Sequence, residues 1–236
     1  MRAIRYLVGL ALFTGWYGGM VIFAALFGLR RQHGGFFDAS QRGWARALLR
    51  WHRIEVVLIN GERLDPAQPA VYISNHASFI DIWALLDQLP GSIRFVAKKE
   101  FFRIPIIGLA MKAIGHLFID RANRSSAFSS YDLAAAGIRS GTSVVVFAEG
   151  TRSRTGKLLP FKKGPFVLAV AAAVPIIPVY CANTFELLRK GSWSPRSGRV
   201  EVRIGDPIPT QGLSYEARDE LAAAARAQVL ALGATE

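Results

Sequence analysis

Residues 75 to 81 read Asn-His-Ala-Ser-Phe-Ile-Asp and follow the apolar run Ala70-Val71-Tyr72-Ile73-Ser74. A histidine and a carboxylate, five positions apart, thus stand where a strand is expected to end. Asn75, His76 and Ser78 suit a buried strand poorly, so their polarity needs a reason. An imidazole oriented by a carboxylate can take a proton from an alcohol near neutral pH. In that reading His76 is a general base and Asp81 holds its other ring nitrogen. The competing reading is a His–Asp hydrogen bond that only closes a turn, and spacing alone weighs the two about evenly. Ser78 is not expected to be a nucleophile, because no Gly-x-Ser-x-Gly elbow surrounds it. Its expected role is to cap a helix that begins at Phe79.

Three further blocks carry chemistry-bearing residues. Gly115-His116-Leu117-Phe118-Ile119-Asp120-Arg121 reads as a strand ending in Asp-Arg. Phe147-Ala148-Glu149-Gly150-Thr151-Arg152-Ser153 reads as a strand followed by a glycine-containing loop. Val174-Pro175-Ile176-Ile177-Pro178-Val179 reads as a strand start bracketed by two prolines, which is loop punctuation, with apolar-chain packing as a secondary role. The planar guanidinium forks of Arg121 and Arg152 suit phosphate oxygens. Lys98 and Lys99, before Glu100, also follow an expected strand end. The plain alternative for each lone cation is a solvated charge, and Asp120 can simply pair with Arg121. His33, His52 and His116 have no carboxylate at a matching spacing and read as structural or interfacial. Cys181 is the only cysteine, so no internal disulfide forms, and no Cys/His cluster has zinc spacing. That usage fits a reducing, cytosolic side.

The elements that must position these residues alternate. Strands are expected at Glu55–Leu58, Ala70–Ser74, Arg94–Ala97, Leu117–Ile119, Ser143–Phe147, Ile176–Cys181 and Val200–Ile204. Helices are expected at Phe79–Asp87, Pro105–Ile114, Ser125–Arg139, Pro165–Ala173 and Tyr215–Leu232. This alternation implies an α/β domain over residues 54–236, with a mixed, largely parallel sheet flanked by helices. Ligands of such sheets sit at the carboxyl ends of the strands. Asn75-His76, Asp120-Arg121 and the Glu149–Arg152 loop all fall there. Phe101, Phe102 and Ile104 to Ile107 form an apolar stretch whose expected roles are an apolar tunnel, a bilayer contact or plain core.

Residues 1–53 have a different composition. Tyr6 to Leu29 is 24 residues without a charge, bracketed by Arg2 and Arg5 and by Arg30 and Arg31. A helix of that length is roughly 36 Å long, enough for a hydrocarbon core of about 30 Å. Five glycines, and Trp16 and Tyr17 in mid-run, leave a kinked helix confined to one leaflet as the alternative. The run is longer than the apolar region of a cleaved signal peptide. Phe36 to Arg53 reads as a second helix, capped by Asp38 or Ser40. Arg42, Arg46, Arg50 and Arg53 make one stripe, and Trp44, Leu48 and Trp51 lie on another face, the pattern of an interfacial helix facing anionic lipid. Eight arginines against the single acid Asp38 give this part +7 of the total +12. The apolar fraction of 51% and mean hydropathy of +0.25 also point to lipid contact. The charge excess alone would suit a nucleic acid, but it clusters beside an apolar anchor and no aromatic-basic recognition motif appears. If the first helix spans, the arginines after it put the globular part in the cytoplasm.

Taken in order and with this spacing, the four blocks resemble the glycerolipid acyltransferase family, with the nearest likeness to bacterial lysophosphatidic acid acyltransferases. The resemblance covers roughly Ile54 to Ile208 and extends to the N-terminal helix pair. It implies a glycerol-3-phosphate acyltransferase-like fold. It also implies an enzyme that moves an acyl group from a thioester to the sn-2 hydroxyl of lysophosphatidic acid. The co-substrate would be acyl-CoA or an acyl carrier protein, with no cofactor and no metal. The expected site is at the cytoplasmic face of the inner membrane, with membrane lipids as partners and no nucleic acid. The resemblance implies His76 and Asp81 as the catalytic pair. It implies Arg121, Arg152 and one of the lysines at Lys98-Lys99 as phosphate ligands. Glu149, Gly150 and Thr151 would shape the acceptor site. The open alternatives are another acceptor (glycerol-3-phosphate or a lyso-aminolipid) and a non-catalytic lipid-binding protein. The last would not need His76 and Asp81 together with the Glu-Gly-Thr-Arg loop.

Overall fold

Short β-branched runs make the strands of this chain, and the longer segments between them supply helices that cover both faces. The computed structural model describes residues 1–119 and 134–234. Asp120, Arg121 and most of the helix expected at 125–139 lie outside the described residues. Strands β1 (Ile54–Ile59), β2 (Val71–Ser74), β3 (Ser92–Lys98), β4 (Leu117–Ile119), β5 (Thr142–Phe147), β6 (Ile176–Ala182) and β7 (Gly198–Ile204) form one sheet. Their order is β1-β7-β6-β2-β5-β3-β4. Every neighbouring pair is parallel except β6–β7, so the sheet is mixed and largely parallel, as the alternation of elements implies.

Helices α1 (Arg2–Leu26), α2 (Phe36–His52), α3 (Ile80–Gln88) and α4 (Ile107–Ile114) precede a described helical stretch, α5, at 134–139. They are followed by α6 (Gly164–Ala172), α7 (Thr184–Leu187) and α8 (Arg218–Ala234). On one face of the sheet Leu48, Leu49, Trp83 and Leu85 pack on Tyr72, Val145 and Val202. On the other, Ile138, Phe166, Leu168 and Leu221 pack on Ile73, Val144 and Val146. The central strand β2 is buried along its whole length, which explains its unbroken apolar run. It pairs with β5 on one side and β6 on the other, both parallel. The segments that follow Ser74, Phe147 and Ala182 therefore emerge side by side at the carboxyl edge. Pro178 lies inside β6, paired with Ile73, and is not loop punctuation. Pairing of β6 with β7 begins only at Val179, so the missing N–H of Pro178 leaves that ladder intact.

The N-terminal helices share the core of the domain. Tyr6 and Val21, near the two ends of α1, are only 3% and 2% exposed. Helix α1 is continuous from Arg2 to Leu26, through all four of the glycines it contains. Two of its glycines are points of close approach. A Cβ at Gly9 would lie 2.6 Å from the Trp51 ring, and one at Gly18 would lie 2.7 Å from Ile106. Ile106 itself has φ +63°, unusual for a β-branched residue, in a tight turn where Ile107 N donates to Pro105 O at 2.6 Å.

Helix α2 is not an interfacial helix with a free arginine stripe. Arg42 donates to Leu86 O at 2.8 Å and to Gly91 O at 2.6 Å, and Arg46 pairs with Asp87 at 2.7 Å. Only Arg50 and Arg53 of the expected stripe stay exposed without such ties. Trp44 donates to Thr14 Oγ1 at 3.0 Å and Trp51 to Arg5 O at 2.9 Å, so both indoles hold α1. Neither Asp38 nor Ser40 caps α2, whose N-cap is Gly35. The Asp38 carboxylate instead accepts from Gly34 N and Ser92 Oγ and pairs with the buried Arg94, which ties α2 to β3.

The outward face of α1 is apolar and uncovered at Leu12, Trp16, Phe23 and Leu26. Among the described residues α1 is the one helix long and apolar enough to cross a membrane. Phe102, Ile104, Ile106 and Leu109, on and beside α4, add a second exposed apolar patch, so that stretch is not plain core. Helix α4 packs against α1 and makes the two patches neighbours.

Candidate active site

The chain leaves β2 at Ser74, and Asn75 fixes the point of departure. Its Oδ1 accepts from Cys181 N at 2.7 Å and its Nδ2 donates to Cys181 O at 3.1 Å. The carboxamide thus copies a peptide group and adds one rung between β2 and β6. The next residue, His76, has its backbone gripped from the loop after β5. His76 N donates to Glu149 Oε1 at 2.6 Å, and His76 O accepts from Ser153 N at 2.7 Å. The second oxygen of Glu149 accepts from Leu159 N at 2.8 Å. Burial pushes the Glu149 carboxyl up to about 7, against the pull of those two N–H donors.

The side chain of His76 is then oriented by Asp81. Its Nδ1 lies 2.8 Å from Asp81 Oδ2. Asp81 sits in the first turn of α3, where the helix dipole and nearby N–H groups favour a carboxylate. The same oxygen accepts from Ala77 N at 2.8 Å and Ser78 N at 2.9 Å, and the residue is fully buried. Ser78 Oγ accepts from Ile80 N at 3.1 Å, but Ser78 is not the cap, because the N-cap position of α3 is Phe79. The imidazole stacks on Phe147 with centroids 3.8 Å apart and planes 11° from parallel. A carboxylate cannot donate, so Nδ1 carries the proton and Nε2 carries the lone pair. The result is an imidazole held by its backbone, one ring face and one ring nitrogen, with its side chain still 14% exposed.

Cations gather beside it. Gly150 has φ +75°, a left-handed turn that glycine adopts without a Cβ clash, and it delivers Thr151 and Arg152 to the same edge. The Arg152 guanidinium lies 4.0 Å over the Phe79 ring, just before α3. Burial holds Arg152 below its ordinary pKa, offset by Tyr6 and Asp81 nearby. Lys98 closes β3 and is exposed. Lys190 donates to Thr151 Oγ1 at 3.0 Å and to Arg152 O at 3.1 Å. Desolvation and its neighbours Arg154, Arg152 and Lys98 lower the pKa of Lys190, so all four cations share one region.

The structure therefore brings His76, Asp81, Lys98, Gly150, Thr151 and Arg152 to one edge. Glu149 acts from behind, as a brace for His76. Arg121 lies outside the described residues. Sequence reasoning missed the roles of Asn75, Phe147 and Ser153, although all three flank or belong to the motifs and their proximity was the available signal. It also missed Lys190, which no local pattern marks.

A carboxylate-oriented imidazole, with cations nearby at the carboxyl edge of a mixed sheet, is an arrangement that can take a proton from a hydroxyl. The sequence profile of the family described as Acyltransferase matches residues 55–182, and the chain belongs to that family. It is 35% identical over 217 residues to the 1-acyl-sn-glycerol-3-phosphate acyltransferase beta of Homo sapiens, covering 90% of this chain and 78% of that protein. It is 38% identical over 161 residues to the alpha protein of Ovis aries, covering 68% of this chain but only 56% of that relative. The match thus spans little more than half the length of the alpha relatives. Among solved structures, the 1-acyl-sn-glycerophosphate (LPA) acyltransferase of Thermotoga maritima superposes with a TM-score of 0.77 at 29% identity, covering 97% of this chain and 95% of that one.

Proposed function

We propose that this protein transfers an acyl group from acyl-CoA or an acyl carrier protein to the sn-2 hydroxyl of lysophosphatidic acid, forming phosphatidic acid for phospholipid synthesis. The observation that carries this reading is the 2.8 Å contact between His76 Nδ1 and Asp81 Oδ2. His76 Nε2 takes the proton as the acceptor oxygen attacks the thioester carbonyl. Asp81 stabilises the imidazolium that forms. The tetrahedral adduct collapses, the C–S bond breaks, and the thiolate recovers the proton from His76. The acceptor supplies the oxygen, so no protein nucleophile is needed, and the thioester is already activated, so no cofactor takes part. Arg152 and Lys98 suit the acceptor phosphate, and Arg121 is the further ligand that the family pattern suggests.

The same reading places the protein on the cytoplasmic face of the inner membrane. Helix α1 lies along the domain from Tyr6 to Val21, so a span would draw α2 into hydrocarbon with it. Each arginine at the bilayer centre costs about 2.5–3.5 kcal/mol, and α2 carries three. A location in one leaflet avoids that cost. The apolar faces of α1 and α4 enter the lipid, and the site stays at headgroup depth. The test is an acyl-transfer assay of the purified full chain with a matrix of donors and acceptors. Phosphatidic acid should form from lysophosphatidic acid and a thioester. Preference for glycerol-3-phosphate or a lyso-aminolipid would overturn the acceptor assignment.

A further inference from the structure

Lys190 lies beyond the stretch matched by the family profile, which ends at residue 182. It sits on a turn after α7 that is built rather than dangling. Arg196 N donates to Leu187 O at 2.9 Å, and Ser192 N donates to Arg189 O at 3.0 Å. At the far side of this turn the Trp193 ring meets Tyr6 of α1, with centroids 6.1 Å apart. The neighbouring Arg189 is neutralised by Glu186 at 2.8 Å. Lys190 points the other way, onto Thr151 and the carbonyl of Arg152. Among the described residues no carboxylate forms an ion pair with Lys98, Arg152, Arg154 or Lys190. Lys190 therefore adds a cation from a separate chain segment to the turn that carries Arg152, where the charges of Arg152, Arg154 and Lys98 also act on it. Like charges held together favour an anion between them. An ammonium has three hydrogens, and the two contacts above use two of them.

We infer that Lys190 joins Arg152 in binding a phosphate ester at this turn, and that Lys190 sets specificity there. Its two hydrogen bonds fix the Thr151–Arg152 turn, and its third hydrogen and its charge meet a phosphate oxygen. This rests on the proposed acyl transfer, in which both the acceptor and the donor carry phosphate esters.

The test compares Lys190→Gln and Lys190→Arg in the full chain in vesicles, with Arg189→Gln as a control. Glutamine keeps an N–H donor for Thr151 and the Arg152 carbonyl but loses the charge, so it separates tethering from anion binding. Lys190→Gln should raise KM for lysophosphatidic acid about tenfold, with kcat within about threefold, because a charge-assisted hydrogen bond is lost. Lys190→Arg should stay near wild type. If the KM for acyl-CoA rises instead, the phosphate bound is the donor's. If neither KM moves by more than about twofold in Lys190→Gln, the subsite does not exist. A wild-type protein that acylates no lysophosphatidic acid would refute the acyl-transfer reading alone. The subsite would still be tested by inorganic pyrophosphate, which should raise the unfolding temperature of wild type more than that of Lys190→Gln. Equal protection of the two would overturn it.

Discussion

The proposed role of His76 as base rests on how little around its ring can turn. Asp81 Oδ2 accepts three donors at 2.8–2.9 Å, so the carboxylate is locked before it orients the imidazole. Asp81→Asn replaces that acceptor with a group that can present N–H to Nδ1 and favour the wrong tautomer. The expected loss in kcat is roughly a thousandfold or more, by analogy with other carboxylate–imidazole pairs, with the fold retained by circular dichroism. A loss under about tenfold would mean that Asp81 only closes a turn. Glu149 gives a pH test. Its unfolded carboxyl ionises near 4.5, whereas the folded one holds its proton to about 7. The stability that this group contributes is full below pH 4.5 and is lost as pH rises through 7. Glu149→Gln should remove that slope. On going from pH 7.5 to pH 5, wild type should gain stability relative to the variant by up to about 3 kcal/mol in denaturant unfolding. Parallel curves would contradict the assignment. The His76–Asp81 contact was legible in sequence because it is local, five positions apart. Lys190 was not, because it meets Thr151 across 39 positions and only the β5-β2-β6 order of the sheet brings them together.

Among the elements, strand positions were readable to within two residues because β-branched runs bounded by turn residues mark them. Helix α2 was read with the right extent and the wrong surroundings. An Arg/Trp amphipathic pattern looks the same whether its partner is lipid or protein, and here Arg42, Arg46, Trp44 and Trp51 all bind protein. Asp38 was misread for a related reason: an acid near a helix start suggests a cap, but only the fold shows that Arg94 waits beneath it. Asp38→Ala should cost about 3–5 kcal/mol, because it leaves a buried guanidinium unpaired. Thermal or denaturant unfolding in detergent would measure this. A cost below about 1 kcal/mol would mean that the pair is not the tie between α2 and β3.

At the scale of the whole molecule, anchor and catalyst are one body. Tyr6, Leu48 and Leu49 belong to the same core as Trp83 and Val145, so deleting residues 1–53 should unfold the domain rather than free a soluble enzyme. The membrane reading is better tested on the surface. Leu12, Trp16 and Phe23 are 56%, 64% and 63% exposed. Changing all three to Asp should leave the fold intact and move the protein from vesicles to the supernatant on flotation. Retention on vesicles would reassign that apolar face. Tyr6 meets Trp193 and lies near Arg152, so the site is next to the first turn of α1, where a leaflet would present a headgroup. The central claim is that His76 is the base for acyl transfer to a lipid hydroxyl. The direct measurement is single-turnover formation of phosphatidic acid from lysophosphatidic acid and acyl-CoA in vesicles, with wild type and His76→Ala compared at equal folded concentration. The account predicts product from wild type and none above the uncatalysed rate from His76→Ala. Turnover by the folded variant within about tenfold of wild type would contradict it.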